Sequence, residues 1–204
     1  MSYYFSNDES VKTNKKDHQV NIAGLSFIFT TDNGVFSKKG LDFGTRTLLE
    51  TLPEYINGEI LDFGCGYGAI GIFLKKKYQC EIDMVDINKR SLALASKNAS
   101  KNSVNVNIFE SNIYENIKKE YDFIITNPPI RVGKKILYHI LMEAKEHLKD
   151  KGELWLVVHK DQGAKTLLKD LNQIYDAELI IKNKGFYVIC AKKRWQNYIF
   201  LVKF

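Results

Sequence analysis

Cysteine, proline and arginine are all scarce in this sequence, and each shortage rules something out. The three cysteines, Cys65, Cys80 and Cys190, are widely spaced and form no CxxC pair. That leaves neither a disulfide framework nor a zinc cluster, and it suits a reducing compartment. Long apolar runs are missing too. Segments such as GELWLVVHK and YIFLVKF are far too short to span a bilayer, and MSYYFSNDES lacks the basic-then-apolar order of a secretion leader. The expected setting is therefore cytoplasmic, with no membrane and no metal. Arg46, Arg90, Arg131 and Arg194 are the only arginines, so the net charge of +6 is carried by lysine. Such a balance fits a solvated lysine-rich surface as well as a nucleic-acid footprint, and charge alone does not choose between them.

With 204 residues, of which 45% are hydrophobic and 26% charged, the chain can bury a core of ordinary size. No internal repeat interrupts it, and nothing sets its oligomeric state. The polar stretch from Asp8 to Asp17 reads as a loose arm. From Gln19 to Thr31 a hairpin is expected around Ala23-Gly24, followed by the loop TDNGVFSKKG and a helix from Thr45 to Tyr55 that Pro53 kinks or shortens. Strands and helices then alternate. EILDF, EIDMVDI, VNVNIF, DFIIT and GELWLVV read as strands, with AIGIFLKKKY, KRSLALASKNASKN, KILYHILMEAKEHL and GAKTLLKDLNQI as helices, and AELIIK and FYVICA close the series as an antiparallel pair. This rhythm predicts an α/β fold: a doubly wound, mostly parallel, seven-stranded Rossmann-like sheet with helices on both faces. One domain is expected, with a preface over residues 1–57, a core over 58–193 and an extension over 194–204. RWQNYIFLVKF in that extension reads as a packing brace rather than an edge strand or a partner-binding segment. Ligands of such sheets sit beyond the carboxyl ends of the strands, where LDFGCGYG, MVDIN, FESN and TNPPI should converge.

Gly66-Tyr67-Gly68-Ala69-Ile70-Gly71 matches GxGxxG between a strand and a helix, and Asp86 follows Gly66 by 20 positions. On spacing alone this is a nicotinamide dinucleotide site. Asp62 argues otherwise, because a carboxylate beside the turn repels a pyrophosphate. A cofactor with a sulfonium and an amino-acid tail reverses the sign: Asp62 then helps hold an ammonium, directly or through water, while the glycine backbone lies close. S-adenosylmethionine is such a cofactor. Asp86 can accept from both ribose hydroxyls, which is common to either cofactor class. Asn112 is a candidate acceptor for an adenine amino group, or a helix cap. Cys65 reads as a small residue in a tight site rather than as a nucleophile.

In FIITNPPIRVGKK a run of strand formers stops at Asn127, Pro128 and Pro129. Neither proline can donate to a ladder, and Asn127 is pushed to extended geometry by the ring behind it. The result is a stiff turn at a strand's end with free carbonyls. An aromatic exocyclic amine is a poor nucleophile because its lone pair is delocalised into the ring. The Asn127 side-chain oxygen and the Pro128 carbonyl can each accept one amine hydrogen and aim the nitrogen, which is positioning and preorganised electrostatics rather than strong-base catalysis. His159 is not needed as a base and reads as a packed or solvent-facing histidine.

Taken together, TDNGVFSKKGLDFGTRTLLE, ILDFGCGYGAIGI, MVDIN, TNPPIRVGKK, GELWLVVHKDQGAK and GFYVICAKK resemble the class I methyltransferases, and more closely the short, single-domain form of the ribosomal RNA small-subunit methyltransferase C family. The resemblance covers roughly Tyr3 to Lys193. It implies methyl transfer from S-adenosylmethionine to the exocyclic N2 of a guanine in 16S ribosomal RNA, with the RNA or a small-subunit assembly intermediate as partner. It assigns Asp62, Gly64, Gly66 and Gly68 to the methionine part of the donor, Asp86 to ribose, and Asn127 to Pro129 to the target amine. Asn112 departs from the aspartate such families often carry. Ile130 stands where related NPPY enzymes place an aromatic, so Phe36 becomes the candidate to stack on the base, with a core or loop anchor as its other reading. Arg131, Lys134 and Lys135 are candidates to meet phosphates, or else the start of a solvated helix. Two other functions stay open: methylation of a protein glutamine amide, and a non-catalytic RNA-binding or assembly factor on the same fold.

Overall fold

The computed structural model describes residues 12–129 and 133–194. Two strands, β1 (Lys16–Ile22) and β2 (Leu25–Thr31), form an antiparallel hairpin ahead of helix α1 (Phe43–Thr51). The core continues as β3 (Glu59–Phe63), α2 (Ala69–Tyr78), β4 (Glu81–Asp86), α3 (Lys89–Lys101), β5 (Asn107–Glu110) and β6 (Tyr121–Thr126). After these come α4 (Lys134–Glu143), β7 (Leu148–His159), α5 (Ala164–Leu171), β8 (Tyr175–Asn183) and β9 (Phe186–Lys193). The seven strands of the main sheet lie in the order β5-β4-β3-β6-β7-β9-β8. β9 runs antiparallel to both β7 and β8, and the remaining pairs are parallel. The doubly wound sheet and its late antiparallel pair are thus as the alternation predicts. Among the described residues no helix is long and apolar enough to cross a membrane.

The central strands are apolar on both faces because helices cover both. Along β7, Trp155 and Val157 join one buried cluster with α2 and α3, whereas Leu154, Leu156 and Val158 join a second with α4 and α5. This is the period of two expected of a pleated strand. The chain order reverses between β3 and β6. Connections from β3 travel one way across the sheet and those from β6 the other, which opens a crevice at the carboxyl ends of these two neighbours.

Helix α1 differs in its bounds from the expected Thr45 to Tyr55. Asp42, in extended geometry, caps it by accepting from the Thr45 amide at 3.0 Å, so the helix begins at Phe43. It stops at Thr51, one residue short of the Leu52 cap, because the following Pro53 disfavours helical geometry in the residue before it. The helix expected through Leu148 likewise ends at Glu143 and tightens into a 3-10 turn over Ala144–His147. The hairpin is fastened by something the sequence pattern did not announce. Asn98 and Asn102, one turn apart on α3, pair with the β2 backbone as a strand would. The Asn98 amide bonds Thr30 N and O at 2.7 and 3.0 Å, and that of Asn102 bonds Ile28 N and O at 3.0 and 2.9 Å. Asn98 is fully buried and also donates to Tyr67 O in the glycine turn at 2.8 Å.

Candidate active site

A cavity of about 860 Å³ lies over the carboxyl ends of β3 to β7. The glycine turn forms its floor, and the four glycines there do two different jobs. A methyl group on Gly68 or Gly71 would strike Met84 at 2.9 or 2.5 Å, so those two let α2 sit against β4. Gly64 and Gly66 have φ of +69° and +56°, and a methyl group on Gly66 would meet nothing within 4 Å. They give the wall a left-handed bend and leave bare backbone facing the cavity.

Asp86, at the end of β4, accepts from the Gly66 amide at 2.8 Å through Oδ2 and from the Asn88 amide at 2.8 Å through Oδ1. It lines the cavity and is partly exposed. Burial raises its pKa above the ordinary carboxylate value, against the lowering effect of the Asn88, Gly66 and Ile87 amides. A carboxylate offers about four acceptor positions, so with three amides bound capacity remains for a hydroxyl. Asp62 is placed differently from the sequence expectation of a residue beside the ligand. It is fully buried beneath the turn and is not part of the cavity wall. Its Oδ2 accepts from the Gly71 amide at 2.8 Å, and its Oδ1 has no hydrogen-bond partner among the described residues. Desolvation pushes its pKa up to about 8. An orphaned acceptor under a bare glycine backbone fits a cationic group arriving from above.

At the end of β6 the ladder stops at Thr126, whose hydroxyl donates to Phe63 O at 2.8 Å and ties β6 to the end of β3. Asn127 follows, half-buried on the cavity wall, with its Nδ2 donating to Thr45 Oγ1 at 2.9 Å and to Asp42 Oδ1 at 3.4 Å. Its Oδ1 has no partner among the described residues. Pro128 is buried and Pro129 half-buried, both on the same wall. A methyl group on Gly64 would come within 4.0 Å of Pro129 Cδ, so the glycine turn and the Asn-Pro-Pro corner are neighbours.

This pairing of a glycine turn, a ribose-type acid and an Asn-Pro-Pro corner matches a known family. Residues 26–190 fit the model of the methyltransferase small domain. The chain belongs to the methyltransferase small domain family. Its cofactor is S-adenosylmethionine. The chain is 43% identical over 197 residues to the uncharacterized protein YbxB of Bacillus subtilis (strain 168), covering 94% of this chain and 98% of that one. It is 37% identical over 150 residues to the ribosomal RNA small subunit methyltransferase C of Psychromonas ingrahamii, covering 71% of this chain and 43% of the relative. A solved T. thermophilus 16S rRNA N2 G1207 methyltransferase (RsmC), in complex with AdoMet and guanosine, superposes with a TM-score of 0.79 at 26% identity, covering 88% of this chain and 51% of that one. The chain thus runs nearly the full length of the Bacillus protein and about half the length of these methyltransferase C relatives.

The other sequence candidates of this family member fall on either side of the cavity. Phe36 lies on its rim and is 52% exposed, so it is not a core anchor. Lys38 and Lys39 line the same side. Asn112 lines the cavity, but its Nδ2 donates to Glu115 Oε1 at 2.8 Å while its carbonyl accepts from the Glu115 amide, so part of its role is to hold a local turn. His159, expected to be packed or solvent-facing, stands on the cavity wall. Phe186 lies edge-on to the His159 ring at 4.8 Å, and His159 Nδ1 accepts from the Asp161 amide at 3.4 Å. Cys65 is buried, and desolvation followed by the nearby Asp62 and Asp86 raises its thiol well above the ordinary value, which is the opposite of what a nucleophile needs. Lys134 and Lys135 occupy the exposed first turn of α4, where Lys134 covers the Tyr138 ring at 5.0 Å. Ile130, Arg131 and the extension after Arg194 lie outside the described residues. Among the described residues no cluster of His, Cys, Asp and Glu is placed to hold a metal. Sequence reasoning missed Asp42 and Thr45, although the DFGT run of a capped helix start was there to be read.

Proposed function

We propose that the chain methylates the exocyclic N2 of a guanine in small-subunit ribosomal RNA. The observation that carries this reading is Asn127: its amide hydrogens face α1, and its oxygen, without a partner among the described residues, remains on the wall of the donor cavity. Gly64 and Gly66 present backbone to the methionine part of S-adenosylmethionine, the arriving cation draws the buried Asp62 beneath them into its ionised form, and Asp86 takes the ribose. When bound, the cofactor supplies a methyl group made electrophilic by its sulfonium. Asn127 Oδ1 accepts one hydrogen of the target amine, the Pro128 carbonyl accepts the other, and the two prolines keep both acceptors from relaxing. Phe36 stacks on the base, and Lys38 and Lys39 meet the RNA backbone. No general base is required, because the amine nitrogen becomes acidic once alkylated and gives its proton to water.

The activity of the T. thermophilus neighbour supports this choice of acceptor, and the exposed ring beside two lysines favours RNA over a protein amide. Tritiated donor offered together with deproteinised ribosomal RNA, assembled small subunits and free ribosomal protein tests it. Label is expected in RNA as N2-methylguanine, and label confined to protein would move the assignment to a glutamine amide. Calorimetry with the donor addresses the assembly-factor alternative, which requires no measurable binding with or without RNA.

A further inference from the structure

A carboxamide can stand either way round in nearly the same space, exchanging its oxygen for its NH2. Whether Asn127 offers an acceptor or a donor to the cavity is therefore decided by what surrounds its other end. Two groups on α1 make that decision. Thr45 Oγ1 accepts from Nδ2 at 2.9 Å, and Asp42 Oδ1 stands 3.4 Å from the same nitrogen. Asp42 Oδ1 is itself held by the Thr45 amide at 3.0 Å as the helix cap. A carboxylate only accepts. Turning the Asn127 amide round would set its oxygen against the Asp42 oxygen, two acceptors face to face.

We infer that Asp42 and Thr45 are positioning residues: they lock the Asn127 carboxamide with its oxygen toward the cavity and so restrict the site to nucleophiles that bring a hydrogen to donate. A carbonyl oxygen, or a ring nitrogen without a hydrogen, meets lone pairs there and is rejected. The discrimination against bare acceptor atoms of a base edge is thus set from the preface, more than 80 residues away in sequence. Asp42 also ends the loop that carries Phe36, so the element that presents the stacking ring and the element that orients the amide meet at one residue. This inference rests on reading Asn127 as the group that meets the acceptor nitrogen.

Thr45→Val keeps the shape of a residue only 5% exposed and removes the hydroxyl, and Thr45→Ser restores it. The side-chain amide resonance of Asn127, identified by its loss in Asn127→Ala, reports the tether without any turnover. In the wild-type chain its protons should exchange slowly with solvent. In Thr45→Val the resonance should shift and exchange faster, and kcat should fall by about tenfold to a hundredfold, with donor Kd and the KM for RNA within about twofold of wild type. Thr45→Ser should recover both readouts. An unchanged Asn127 resonance in Thr45→Val overturns the inference, as does a shifted resonance with wild-type kcat. If the wild-type chain methylates no RNA, the proposed substrate fails, and the resonance still decides the tether: a shift in Thr45→Val supports it and no shift overturns it.

Discussion

The two ends of the main sheet handle charge in opposite ways. At the amino ends of β3, β6 and β7, Glu59 bonds Lys119 at 2.8 Å and Lys149 at 3.0 Å, and Lys149 also bonds Asp122 at 2.9 Å. Lys119 and Lys149 hold the Glu59 carboxyl below its ordinary pKa. At the carboxyl ends Asp62 and Asp86 have no lysine or arginine partner among the described residues, only backbone amides, and burial drives both upward. One end is neutralised by the chain itself. The other is left short of positive charge, which is the state of a site completed by a cationic ligand.

The sharpest way to break this contrast is at the corner beside the acids. Asn127→Ala should lower turnover by about a hundredfold or more, with donor affinity by calorimetry within about twofold of wild type. An equal loss of donor affinity would make the asparagine part of the donor wall instead. Asp86→Ala comes next. Losing a hydrogen bond to a charged acceptor should weaken donor binding by about tenfold or more, and it would be read in the same titration.

Asp62→Asn sharpens the comparison through pH. The folded chain holds a proton on Asp62 up to about pH 8, whereas an ordinary carboxyl releases it near 3.8. Between those values the folded state binds more protons than the unfolded one, so the stabilising contribution is fully present at acid pH and is lost as pH rises through the folded value. Asp86 adds in the same direction. Thermal midpoints of the ligand-free wild type should carry this declining component across that window, and Asp62→Asn should flatten it. The smallest effect belongs to the other end. Glu59→Gln should lower the midpoint by no more than a few degrees, leave donor binding unchanged, and act in the reverse sense on pH: the Glu59 contribution is present above its unfolded value and fades on acidification.

Much of the fold was legible because helices and strands alternate at a period that apolar residues expose directly. AIGIFLKKKY became α2 residue for residue. The donor side of the site was legible for a similar reason: glycines, Asp62 and Asp86 lie within one βαβ unit, where spacing translates into geometry. The acceptor side was only half legible. Asn127 and its prolines announce themselves, but the side chain's orientation depends on Asp42 and Thr45, whose approach is fixed by how α1 packs rather than by any local pattern. GxGxxG likewise could not say that its second and third glycines serve packing and its first the cavity, since that depends on where Met84 lies. Asn98 and Asn102 were unreadable as strand mimics, because in a helix an asparagine pair has no signature until its partner strand arrives.

Asn98 grips the preface and the cofactor floor with one side chain, holding both Thr30 and the Tyr67 carbonyl. A different leading segment grafted onto this core would have to satisfy that carboxamide in place of Thr30, so a change made in the hairpin has a direct route to the floor beneath the methyl donor.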